Sequence, residues 1–163
     1  MIEASHPSIN QYDLVEYDSN PYYSDPVTGQ YRLAYARMEN HLTPANSISQ
    51  MNIGYGIINH IDHSSQYEMA MGSVTHAGTI TTNNADNLSN GNKYSIVYTA
   101  GFEPGGFDYD CIGEHFSLNS NGGAVAFIGP SRSIYTTSGN NHDKIFFQSL
   151  FEYNNFNIRQ TLA

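Results

Sequence analysis

A histidine beside a cysteine makes a nucleophile, because the thiolate is the attacking species and the adjacent imidazole lowers its pKa and later returns the proton. This chain of 163 residues has seven histidines and one cysteine, Cys111. His63, in Ile61-Asp62-His63-Ser64-Ser65, is released from an apolar run into small polar residues. That is the setting of a general base at a strand end, and equally of an ordinary hydrogen-bonded loop histidine. Cys111 lies near the start of Asp110-Cys111-Ile112-Gly113-Glu114-His115-Phe116, where a helix N-terminus lowers a thiol's pKa. A buried free cysteine is otherwise a small hydrophobe.

Between them runs Thr99-Ala100-Gly101-Phe102-Glu103-Pro104-Gly105-Gly106-Phe107-Asp108-Tyr109. Gly101, Gly105 and Gly106 would let backbone N–H groups approach a carbonyl oxygen, as an oxyanion hole requires; the plainer reading is a strand-to-helix loop. Asp108, Asp110 and Glu114, with Glu103 nearby, offer hard oxygen ligands suited to calcium, although they lack EF-hand spacing and also suit a solvated acidic face. His60 and Asp62 share one face of a strand while His63 faces the other, which argues against one metal site from those three. Arg132, in a loop further on, would meet a substrate carboxylate or lie along the surface.

These residues need elements to hold them. Gly54 to Ile61, Tyr94 to Thr99 and Gly123 to Gly129 are short, continuous, β-branched or apolar runs, the pattern of strands buried on both faces. Asp110 to Leu118 and Asp143 to Phe151 fit helices, the first with an acidic start. Strand, helix, strand, helix is an α/β arrangement, and in an open parallel sheet ligands gather beyond the carboxyl ends of the strands. That rule points to His63 and to the loop from Ala100 to Asp108. Residues 1–46 read as a polar, aromatic, partly extended segment, with a turn over Ser24 to Gly29 and a short helix over Tyr31 to Leu42; residues 47–163 read as the folded body.

The length suits one ordinary domain. An apolar fraction of 39% is modest, but 13 tyrosines and eight phenylalanines supply large contact areas. Six Lys and Arg against 15 Asp and Glu give a formal charge of −9, which argues against a nucleic-acid partner because phosphate binding needs clustered cations. One cysteine permits no intrachain disulfide and no multi-thiolate metal site. Residues 1–20 carry Glu3, Asp13, Glu16 and Asp18 and no long apolar block, so they do not read as a signal peptide, and no stretch is long and apolar enough to span a bilayer.

Taken together, a buried strand ending near His63, a second ending before Phe102, then Asp-Cys-Ile-Gly-Glu-His-Phe and Asn-Gly-Gly-Ala-Val-Ala-Phe-Ile-Gly resemble the carboxy-terminal part of a gingipain-type cysteine peptidase domain. The resemblance covers roughly Ser47 to Phe151. It implies a caspase-like three-layer α/β/α sandwich with a mostly parallel sheet, a Cys-His dyad, no obligatory cofactor though calcium is possible, a peptide or protein partner, and an extracellular or cell-surface setting. His63 matches the catalytic histidine, with Asp62 and Ser64 where the family favours glycines. Phe102 matches the catalytic cysteine, and phenylalanine has no ionisable group to attack a carbonyl. The resemblance therefore implies an inactive or impaired peptidase domain acting as a binding or scaffolding module. Two alternatives stay open: an active endopeptidase using His63 with Cys111, and a self-assembling surface protein pairing through an exposed sheet edge.

Overall fold

A computed structural model describes residues 22–24, 31–33, 43–71, 78–153 and 157. In chain order the elements are β1 (Tyr22–Ser24), β2 (Tyr31–Leu33), α1 (Pro44–Ile53), β3 (Ile57–His60), β4 (Glu68–Met71), β5 (Gly78–Thr81), α2 (Thr82–Asp86), β6 (Ser95–Thr99), α3 (Ile112–Leu118), β7 (Ala124–Ile128) and α4 (Thr136–Phe147), which continues into a π turn over Gln148–Glu152. The three apolar runs become one parallel sheet in the order β3-β6-β7. In its register Ile57 faces Ile96 and His60 faces Thr99, so the carboxyl ends of β3 and β6 stop level with each other. The hairpins β1-β2 and β4-β5 are antiparallel.

Alternation along these strands sends side chains to two cores. On one face Ile58, Val97 and Phe127 pack with Met51 of α1, Met69 and Met71 of β4, Ile80 of β5, Ala85 of α2, and Ile112 and Phe116 of α3. On the other, Ile57, Tyr98 and Ile128 pack with Phe146, Phe147 and Leu150. Helices therefore cover both faces, as the three-layer expectation requires. The register between β6 and β7 shifts at Ser95/Ile96, which is why Ala124 and Phe127 reach the same core although three residues apart. Tyr98 anchors the second core, its ring 4.6 Å from that of Phe146 and 5.7 Å from that of Phe147. Burying one such side chain is worth roughly 1.5–3 kcal/mol.

Local signals explain the helix ends. The Thr43 hydroxyl accepts the Asn46 N–H at 3.2 Å with Pro44 opening α1, and Gly54, at φ 89°, closes it. Thr81 and Asn84 form a capping box on α2. Asn90 spans the amino ends of the sheet: its amide donates to the Lys93 and Gly123 carbonyls at 2.8 and 2.9 Å and accepts the Gly123 N–H at 2.7 Å.

Two expectations need correction. Residues 31–33 form a strand rather than the start of a helix, because Tyr31, Arg32 and Leu33 pair with Ser24, Tyr23 and Tyr22; residues 34–42 of that expected helix lie outside the described residues. The helix expected from Asp143 begins earlier, at Thr136, where a polar first half hides the apolar period. Most of the extended segment over residues 1–46, including positions 25–29 of the expected turn, lies outside the described residues. Among the described residues no helix is long and apolar enough to cross a membrane.

Asp143 of α4 sits against the second core with its Oδ1 buried and without a hydrogen-bond partner. Burial pushes its pKa up, a hydrogen bond from Asn59 pulling the other way, and burial raises the Tyr98 phenol to about 12 with the Asp143 charge adding to it. A carboxyl whose folded pKa is raised favours the fold while protonated, and that contribution is lost as pH rises through the folded value. Asp143→Asn should therefore stabilise the chain at pH 7 by on the order of 1 kcal/mol, with the gain shrinking toward pH 4. Denaturant midpoints of both proteins across that range provide the check; a gain that does not depend on pH would refute this account.

Candidate active site

The loops leaving β3 and β6 lie side by side beyond the carboxyl ends of the sheet. Before them, His60 is buried at 6% exposure and holds Thr99 and β4 together: Nδ1 is 2.8 Å from Thr99 Oγ1 and Nε2 is 2.9 Å from the Ala70 carbonyl. The Gly101 N–H donates to the same Thr99 oxygen at 3.1 Å, and the Ala100 N–H donates to the His60 carbonyl at 3.0 Å. The loop over 61–67 then turns back into β4, with the Ala70 N–H donating to the His63 carbonyl at 2.8 Å and the Ser65 N–H to the Glu68 carbonyl at 2.9 Å.

His63 and Phe102 meet at this edge. Their rings stack with centroids 5.9 Å apart and planes 18° from parallel, and His63 is exposed. The His63 N–H donates to Asp62 Oδ1 at 2.6 Å, while Asp62 Oδ2 is buried without a partner. The Ser64 hydroxyl donates to the Phe102 carbonyl at 3.0 Å, tying the two loops directly. That approach needs Gly101: a Cβ there would run into the Ser64 hydroxyl and come 3.0 Å from the Asp62 carbonyl. Glu103, next after Phe102, stands at φ 58°, a left-handed conformation held by its carboxylate, which accepts from the Ser133 N–H at 3.2 Å and hydroxyl at 2.8 Å.

Other candidate residues are employed elsewhere. The Gly101 and Gly105 N–H groups, expected to face an oxyanion, donate to Thr99 Oγ1 and to the Pro130 carbonyl at 3.1 Å, and Gly106 lies closely against the Tyr109 ring. Cys111 is buried at 0% exposure as the N-cap of α3, its N–H donating to Glu114 at 3.3 Å, and burial pushes its thiol pKa up. The acidic trio proposed for calcium is dispersed. Asp108 forms a two-point pair with Arg132 at 3.0 and 2.8 Å, and that hydrogen bonding holds its carboxyl below the usual range. Asp110 lies 3.0 Å from Nε2 of His115, whose Nδ1 is 2.8 Å from Asp86; the Asp86 hydrogen bond raises the imidazole's pKa. Glu114 caps α3. Among the described residues no three acidic, histidine or cysteine side chains gather closely enough to hold a metal ion. Arg132 pairs within the chain.

The model of peptidase family C25 matches residues 1–163. The chain belongs to that family. None of the curated proteins matches it. Among solved structures, the crystal structure of the Arg-specific cysteine proteinase gingipain R (RgpB) is similar with a TM-score of 0.59 and 22% identity, over 69% of this chain and 26% of that one. The complex of Porphyromonas gingivalis RgpB pro- and mature domains is similar with a TM-score of 0.59 and 21% identity, over 67% and 26%. At such identities the likeness establishes the caspase-like fold, and this chain spans about a quarter of those C25 structures.

Sequence reasoning missed the roles of His60, Thr99 and Ser64. Two polar residues at the ends of otherwise apolar buried strands were the available signal, because buried polar groups demand partners. Gly101→Ala should destabilise the chain by about 1–3 kcal/mol, since relief of the overlap must move backbone at Asp62 as well as the Ser64 side chain. Equilibrium denaturation tests this, and unchanged stability would show that the loops part freely.

Proposed function

We propose that this chain is a C25 domain without peptide hydrolysis, whose loops at the carboxyl ends of β3 and β6 bind a peptide or protein. The observation that carries the reading is the Phe102 ring stacked on His63. With Phe102 at the position that the gingipain resemblance assigns to the nucleophile, the side chain stacked on the imidazole is an aromatic ring that has no ionisable proton to give and cannot attack a carbonyl. Burial of Cys111, with its raised thiol pKa, supports the same reading, because a sulfur that is neither exposed nor ionised does not replace the missing nucleophile. The RgpB structure solved as a complex of pro- and mature domains supports a polypeptide partner, that domain pair being built on a similar fold. We place the module outside the cell or on its surface, as the gingipain resemblance implies, with residues 47–163 as the peptidase-like body.

Restoring a thiol tests the reading. Phe102→Cys should introduce a cysteine that reacts with iodoacetamide about tenfold or more faster than Cys111 does in the parent, as a thiolate beside an imidazole requires, and His63→Ala should remove that acceleration. The parent chain should leave labelled casein intact. Cleavage by the parent that disappears with His63→Ala or Cys111→Ser would overturn the proposal.

Self-association is the second reading, favoured by the edge strand β7. It pairs with β6 alone among the described residues, has no charged residue, and leaves Val125 69% exposed. Light scattering should then give a mass rising toward the dimer with concentration, whereas a constant monomer mass would exclude it.

A further inference from the structure

The hydrogen bonds around His60 have only one consistent direction. The Ala70 carbonyl can only accept, so Nε2 carries the proton. In the neutral ring Nδ1 is then an acceptor, and the Thr99 hydroxyl must donate to it. That leaves a Thr99 lone pair to accept the Gly101 N–H, the amide immediately before Phe102. A chain of three donors thus runs from the Gly101 backbone through Thr99 and His60 to β4.

We propose that His60 is a positioning residue for the Phe102 loop, holding Gly101 through Thr99 most firmly while its imidazole is neutral. The inference rests on the reading that the loops carrying His63 and Phe102 form the binding surface. A second proton would sit on Nδ1, opposite the hydroxyl that had donated to it. Thr99, 1% exposed, would have to accept from Nδ1 and turn its own proton away from the ring into buried surroundings. The groups facing the ring are the Ala70 carbonyl from β4, the Thr99 hydroxyl from β6 and, beyond its own strand, the Asp62 carboxylate. Burial lowers the ring's pKa, opposed by the Ala70 hydrogen bond and the Asp62 charge. An unfolded histidine takes its proton near pH 6.5, so between that value and the lower folded one the unfolded chain binds more protons. The contact is intact above this window and weakens as pH falls through it.

The test uses the whole chain, with nitrogen-15 NMR of the His60 ring and amide exchange at Gly101 referenced to Val97 in the centre of β6. At pH 7.5 the ring should be the Nε2–H tautomer. Thr99→Val should accelerate Gly101 exchange about tenfold, the effect of losing one hydrogen bond, and Thr99→Ser should restore protection to within about threefold. On lowering the pH, Gly101 protection in the parent should fall in step with protonation of the His60 ring, a step that Thr99→Val lacks. An Nδ1–H tautomer, or Gly101 protection equal in the parent and Thr99→Val, would overturn the proposal. If Thr99→Val does not fold, the tautomer and the parent's pH step still decide it. None of these readouts involves cleavage or ligand binding, so they stand or fall independently of the proposed function.

Discussion

The hydrogen bond between His60 and Thr99 is the constraint on which the site depends. Parallel strands share a backbone ladder along their length, but the ladder stops where β3 and β6 end in register at these two residues. Both side chains are polar and nearly inaccessible, and each would cost about 1–3 kcal/mol if left unpaired. Pairing them with each other, and the free ring nitrogen with Ala70, removes that cost and determines where both loops leave the sheet. Everything beyond follows by short steps: Gly101 stays close because it has no Cβ, Ser64 closes onto the Phe102 carbonyl, and the rings of His63 and Phe102 come to lie against each other.

How much of this was legible depended on whether a segment's own pattern or its partners determined it. The three sheet strands were legible because continuous apolar runs have few other uses, and α3 because an acidic start preceded spaced apolar residues. Helix α1 was not recognised, since Ser47, Ser49, Asn46 and Asn52 dilute its apolar face; its Thr43-Pro44 start was the signal present. The β4-β5 hairpin and the strand at Tyr31–Leu33 are too short for a period to emerge, and they exist through pairing. At the site, no spacing rule relates positions 63 and 102. Their nearness follows from the parallel register of β3 and β6, which the residues alone do not give and the gingipain resemblance supplied.

The acidic residues show how nearness in sequence differs from convergence in space. Asp108, Asp110 and Glu114 are close in sequence and read as one cluster, yet a turn followed by a helix start aims them apart. Each meets a different partner: a guanidinium, an imidazole and a backbone N–H. Local density of charge in a sequence reports composition, whereas a ligand set needs convergence, and convergence is a property of the backbone path.

The two cores explain why a phenylalanine can stand in the loop after β6 without disturbing the fold. Phe102 belongs to neither core, being held through its carbonyl by Ser64 and through its ring by His63. Its neighbours in sequence carry the structural demands: Thr99 through its hydroxyl, Gly101 through its lack of a side chain, and Glu103 through its left-handed backbone. A position relieved of structural duty in this way can vary in its side chain while the loop keeps its course. The shape presented beyond β6 therefore depends on the residues flanking position 102 more than on the side chain at it.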